Sequence, residues 1–121
     1  MAHQKNTSIE IVTACHDMCL TTLSHCLQEG GKHAQADHIT LLLDCAEICQ
    51  TSADFILRNS DFHARTCGVC AEVCEHCAED CERLANGDPI MRDCAHICRR
   101  CAESCREVAG NIGRPKHVPI T

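Results

Sequence analysis

Tryptophan and tyrosine are absent from this 121-residue chain, and phenylalanine occurs only twice. Ordinary cores take much of their buried area from large aromatic and branched side chains, so aromatic packing is excluded as the basis of this one. No apolar run approaches the ~20 residues of a membrane span. There is no basic excess: the formal charge is −6 with the nine histidines counted neutral. That argues against nucleic acid as a partner, because phosphate backbones select basic patches. The opening MAHQKNTSIEIVTACHDMC shows neither a secretory pattern, in which a basic end precedes an apolar h-region and a small-residue cleavage site, nor a twin-arginine signal. The expectation is a cytoplasmic protein, in a compartment where thiols stay reduced. No Ser-His-Asp set or phosphate loop is present, and the carboxylates fall mainly on outward helix faces, so no enzymatic activity is expected.

What the chain has in quantity is cysteine, 14 residues of it. They fall in four segments separated by clear breakers. Gly30-Gly31 ends the first segment and Asn59-Ser60-Asp61 the second. In Asn86-Gly87-Asp88-Pro89 the glycine stops a helix, the aspartate caps the next and the proline takes its first position. Gly110 and Gly113 close the fourth. Thr7-Ser8-Ile9-Glu10 reads as a capping box. Helices are therefore expected near 8–29, 34–58, 62–85 and 89–109. Their short links favour an all-α, antiparallel up-down-up-down four-helix bundle. At this length, residues 1–121 are expected to form one domain.

Each segment holds a version of one string: CHDMCLTTLSHC (15–26), CAEICQTSADFI (45–56), CAEVCEHCAEDC (70–81) and CAHICRRCAESC (94–105). The first has Thr22 in the third cysteine slot. The second has Ser52 and Ile56 in the third and fourth. At about 100° per residue, Cys74, Cys77 and Cys81 fall at roughly 40°, −20° and 20° from Cys70, with Cys67 at the edge of the same stripe. Cys15, Cys19 and Cys26, Cys45 and Cys49, and Cys94, Cys98, Cys101 and Cys105 behave alike. Glu72, Glu75, Glu79, Arg99, Arg100 and Glu103 take the opposite faces. The pattern predicts a cysteine-lined core.

One or two buried cysteines are ordinary small hydrophobes. Fourteen replace whole core layers, and each methylene missing relative to leucine forfeits ~0.8 kcal/mol of burial. A stapled disulfide scaffold is loop-rich and exported, unlike this one. Zinc uses four ligands per ion, and each isolated Cys₄ site carries two net negative charges that are costly to bury. Iron–sulfur clusters need room for sulfide, and the bacterial C-x₂-C-x₂-C run does not occur. Cu(I) is soft and prefers sulfur. Neighbours at i,i+3 and i,i+4 have Cβ atoms roughly 5–6 Å apart, so CxxC and CxxxC on a helix are ready clips. Each Cu⁺ replaces one thiol proton and leaves the core neutral, so many ions can share it. The expected ligands are these 14 cysteines, the cofactor is multiple Cu(I) ions, and the expected role is storage or buffering. An iron–sulfur or dithiol redox protein, and a zinc or cadmium metallothionein-like sequestering protein, are the alternatives.

His38 projects at the angle of the second stripe, near the end shared by Gly30, Cys81 and Met91. Met91 lies at the edge of the fourth stripe. Together they are candidate ligands at one mouth of the bundle, with a buried core histidine and an end plug as the plainer alternatives. The other end, with Ile11, Val12, Phe55, Ile56, Phe62 and Val108, reads as an apolar plug. His63 faces inward there, with capping as its alternative. His76 and His96 point outward.

CGVCAEVCEHCAEDC (67–81) and CAHICRRCAESC (94–105), with CHDMC and CAEIC upstream, resemble the copper storage proteins, the Csp family of cysteine-rich four-helix bundles. The resemblance covers residues 8 to 109. It implies many Cu(I) ions along the axis and a mouth lined by His or Met. It also implies a homotetramer, and release to copper chaperones, copper enzymes or small chelators. Exported members carry a signal not found here, so the resemblance is to the cytosolic type.

Overall fold

The structure, a computed structural model, describes residues 2–112, with side chains from residue 5 to residue 110. Four helices account for nearly all of them: α1 (Ala2–Glu29), α2 (Ala36–Leu57), α3 (His63–Ala85) and α4 (Pro89–Ile112). A 3₁₀ turn, Gly31–Ala34, joins α1 to α2.

The breakers act where expected. Gly30 and Gly31 take φ of 73° and 58°, values that suit residues without a Cβ. Asn86 ends α3 in the left-handed region at φ 45°, and Gly87 follows at 88°. Asp88 Oδ1 then accepts the amides of Ile90 at 2.9 Å and Met91 at 3.4 Å, capping α4. Two expected starts are displaced. α1 begins six residues before Ser8, so Thr7–Glu10 is helix interior and no capping box forms. Ser8 is instead buried and accepts a hydrogen bond from Ser104 on α4 at 3.3 Å. α2 begins at Ala36, because residues 31–34 tighten into the 3₁₀ turn.

Each helix packs on its neighbours in sequence, and α1 packs on α4, so the four close into a ring. Rising numbers on one helix meet falling numbers on the next. Cys15 lies beside Cys45 while Cys26 lies beside His38; Cys45 lies beside Cys74 while Cys49 lies beside Cys70. On α3 and α4, Glu82 pairs with Arg99 and Glu75 with Arg106. This is the register of antiparallel neighbours.

A single apolar cluster runs through all four helices, and cysteine and alanine dominate it. Ala71, Ala78 and Ala85 on α3, Ala95 and Ala102 on α4, and Ala46 and Ala53 on α2 recur every seven residues and are buried. A seven-residue repeat keeps one stripe facing a partner helix. Small side chains there let the backbones approach, so the thiols of facing helices can meet across the axis.

The apolar end is formed by Val12, Ile56 and Val108, with Ile11 and Phe55 half-buried. Phe62 is not part of it. It stands at the non-helical residue before α3 and is 56% exposed. His63 is half-buried, and its Nδ1 lies 2.6 Å from the Ser60 carbonyl, so it serves the turn rather than the axis. His76 and His96 are exposed.

Leu42 is fully buried, whereas its neighbour Leu43 is 44% exposed. Leu42→Ala should cost about 2–5 kcal/mol of unfolding free energy in metal-free protein, and Leu43→Ala within about 0.5 kcal/mol of none. Urea unfolding followed by helix ellipticity checks both.

Candidate metal centre

All fourteen cysteines are free and buried, including Cys67 at the edge of its stripe. Their sulfurs meet within and across helices. Cys15 Sγ lies 3.8 Å from Cys98, 3.9 Å from Cys74 and 4.0 Å from Cys45, so one thiol of α1 touches all three other helices. Cys49 Sγ lies 3.7 Å from Cys70 and 3.8 Å from both Cys74 and Cys101.

Four sets of sulfurs have all members within 4.8 Å of one another: Cys49-Cys70-Cys74-Cys101, Cys15-Cys45-Cys49-Cys74, Cys15-Cys19-Cys45-Cys98 and Cys19-Cys77-Cys94-Cys98. Taken in that order, each set shares two sulfurs with the next. They form a continuous ladder of ten cysteines rather than four separate sites. The other four cysteines lie towards the ends. Cys105 interacts with Cys67, Cys70 and Cys101, and Cys81 with Cys77 and Cys94. Cys26 lies with His38 and Met91.

Two sulfurs on one ion at about 2.3 Å stand roughly 3.8 Å apart at a tetrahedral centre and 4.0 Å at a trigonal one. The observed 3.6–4.0 Å contacts fit either. The ladder therefore needs little rearrangement to receive metal. Sharing also softens the charge argument against zinc. Four divalent ions on ten thiolates leave two net negative charges in all, not two per site. Monovalent copper still leaves none.

The thiols shift one another's ionisation in both directions, lowering some and raising more. Cys15 is drawn below the ordinary thiol range by its thiol neighbours, Cys101 and Cys19 foremost, and Cys45 by Cys15 and Cys19. Cys74 is pushed up instead, by its neighbours Cys101 and Cys15 and also by burial. A proton leaving the column is thus drawn from a connected network.

Two stripe gaps are polar. Ser52 is buried, and its hydroxyl donates to the Thr66 carbonyl at 3.4 Å. Thr22 is also buried, and its hydroxyl has no partner among the described residues. The third gap, Ile56, belongs to the apolar end.

The opposite end brings Cys26, His38 and Met91 together. His38 is 2% exposed and Met91 fully buried. The Cys26 thiol donates to Met91 Sδ at 3.4 Å and lies 3.4 Å from His38 Nε2. On the far side of the ring, His38 Nδ1 lies 2.7 Å from Asp80 Oδ2. A carboxylate there accepts a hydrogen bond from Nδ1–H, which leaves the Nε2 lone pair aimed at Cys26. This is how metal-binding imidazoles are commonly oriented. Burial works against the Asp80 charge, but hydrogen bonds from His38 and Arg83 hold its carboxyl below the usual range. Cys26 is pushed up to about 11, by burial and then by the negative Asp88. The sequence reading placed His38 and Met91 at this mouth but not Asp80, which falls off the cysteine stripe and reaches His38 only across the α2–α3 seam.

No helix among the described residues is long and apolar enough to cross a membrane. A family model described as copper storage protein, Csp, matches residues 1–110. Among solved structures, the Nmul_A1745 protein of Nitrosospira multiformis is 45% identical, covers 92% of this chain and 99% of its own, and superposes with a TM-score of 0.85. The Cu(I)-bound copper storage protein BsCsp3 is 30% identical, with 88% and 98% covered and a TM-score of 0.81. Apo copper storage protein 3 from Bacillus subtilis is 30% identical, with 86% and 97% covered and a TM-score of 0.78. No curated protein matches. The chain belongs to the copper storage protein family.

The burial predicts a reactivity pattern. Freshly reduced metal-free protein should react slowly with a thiol reagent such as DTNB. All fourteen thiols should react at once after unfolding in guanidinium. A prompt native fraction would locate thiols outside the column.

Proposed function

We propose that this member of the family stores Cu(I) as cargo in the sulfur ladder, without catalysis. The observation that carries the reading is the sharing of sulfurs between successive four-thiol sets. A sensor or chaperone needs one isolated clip; a ladder of shared ligands suits many equivalent monovalent ions. Cys15, Cys19, Cys26, Cys45, Cys49, Cys67, Cys70, Cys74, Cys77, Cys81, Cys94, Cys98, Cys101 and Cys105 act as ligands. Each ion takes the place of a proton, which leaves as the ion binds.

His38 and Met91 form the entrance. Imidazole and thioether bind Cu(I) less tightly than thiolate does, so an ion captured there can be handed inward through Cys26. Asp80 positions His38 for this. The cytosol is the fitting compartment, because fourteen thiols hold soft metal only while reduced. The bundle is proposed to work as a homotetramer. Leu20 and Leu27 on α1 leave apolar side chains exposed and are suited to an interface. Copper chaperones or small chelators are the proposed donors and acceptors.

Anaerobic titration tests storage directly. Uptake should reach about fourteen Cu(I) per chain, one per thiol by neutrality, with about one proton released per ion. The loaded protein should be colourless and luminescent. Cys74→Ser with Cys77→Ser should lower capacity by about two on the same neutrality argument. A brown, sulfide-containing protein, or one that prefers about four Zn²⁺ to copper, would overturn the reading.

His38→Gln and Asp80→Asn should both slow loading from a Cu(I) chelate, by about 10–100-fold for the positioning residue if it acts as such residues do elsewhere. Neither should change the final stoichiometry. Stopped-flow loading followed by metal analysis separates the two quantities.

A further inference from the structure

Outside the ladder, at the Cys26 end, lies a second cluster that sulfur chemistry leaves unused. His25 of α1 places Nε2 2.6 Å from Asp88 Oδ2. His33, in the 3₁₀ turn, places Nε2 3.5 Å from the same oxygen. The two imidazoles stand edge to face, with centroids 6.3 Å apart and planes at 84°. Their side chains are 19% and 21% exposed and that of Asp88 is 15% exposed. His33 Nε2 is sealed from solvent and makes no hydrogen bond among the described residues, although it faces a carboxylate oxygen. Such an orphan nitrogen is costly unless something occupies the space beside it.

We propose that His25, His33 and Asp88 form a binding site for one first-row divalent cation, of which Zn²⁺ best suits the donors, distinct from the Cu(I) column. Two imidazole nitrogens and one carboxylate oxygen are the borderline donors zinc takes at open sites, with water in the fourth position. Cu(I), being soft, is drawn to the thiols instead, so the two metals need not compete.

Each imidazole already stands near Asp88, but the two imidazoles, with centroids 6.3 Å apart, must close on one another to share an ion. Ligands about 2.0–2.2 Å from a tetrahedral ion stand roughly 3.3–3.5 Å apart. His33 and Asp88 already do so. His25 and Asp88 must open from a hydrogen bond by less than about 1 Å on the same bond lengths. Two imidazoles on one ion would have centroids roughly 5 Å apart, and His33 sits on a short surface turn that can supply the closure. The carboxylate is already oriented, because its Oδ1 is engaged by the Ile90 amide.

A bound ion would join α1, the turn and the start of α4. It would lie one residue from Cys26 and three from Met91, and so would brace the entrance without occupying a sulfur.

Co²⁺ serves as the probe, added anaerobically to wild-type protein already saturated with Cu(I) so that the thiols are filled. One Co²⁺ per chain is expected. Its visible d–d bands should appear without intense thiolate-to-cobalt absorption, and Zn²⁺ should displace it. His33→Gln and His25→Gln should each weaken binding by at least about tenfold, while their Cu(I) capacity stays at the wild-type value. Because capacity is read separately, failure here is distinguishable from failure of the storage reading. Absence of cobalt binding, cobalt bound with thiolate bands, or equal binding by wild type and both variants would each overturn the proposal.

Discussion

The constraint on which the structure depends is charge neutrality in a dry axis. Net charge among thiols shut away from water is costly unless a positive ion takes the proton's place. When the ion is monovalent the exchange leaves no residual charge, and it can be repeated along the whole column. The observed arrangement serves this requirement. The sulfurs are fully enclosed, they lie 3.6–4.0 Å apart, and successive sets hold members in common. The network of S–H donors means that the first proton to leave departs from a connected system, which shares the resulting charge.

Close packing follows from the same requirement. Cysteine is short, so facing thiols meet only if the helices approach closely, and the seven-residue alanine repeat in the seams allows it. The cost is a core with little aliphatic volume. Leu42 and Met91 are the largest fully buried side chains. Any ion bound by the folded state and not by the unfolded chain would add its binding free energy to folding. Surface pairs such as Arg99–Glu82 contribute little by comparison.

The two ends are built differently. Val12, Ile56 and Val108 close one with apolar side chains that offer metal no ligand. At the other, weaker donors succeed thiols, and two aspartates hold the histidines. Asp80 fixes His38, and Asp88 caps α4 while facing His25 and His33. Cargo that must come and go needs this asymmetry. A column closed by strong ligands at both ends would bind well and exchange slowly.

The sequence alone determined the helix count, the inward direction of the thiol stripes, the placing of His38 and Met91 at one end, and the preference for soft monovalent metal. All of these follow from local periodicity and from the chemistry of single residue types. The alanine heptads were equally local, and would have indicated the close packing. Tertiary structure decided what depends on contact between helices. Thr7–Glu10 looks like a helix start, but packing extends α1 past it and turns Ser8 towards Ser104. Phe62 looks like a plug, but the α2–α3 turn leaves it in solvent. The sharing of sulfurs across helices, the Asp80–His38 bond and the approach of His25 and of His33 to Asp88 join residues 21 to 83 positions apart. Helical periodicity gives the angle at which a side chain leaves its own axis. It does not give the height and rotation at which a neighbouring helix meets it, and those two quantities fix every cross-helix distance.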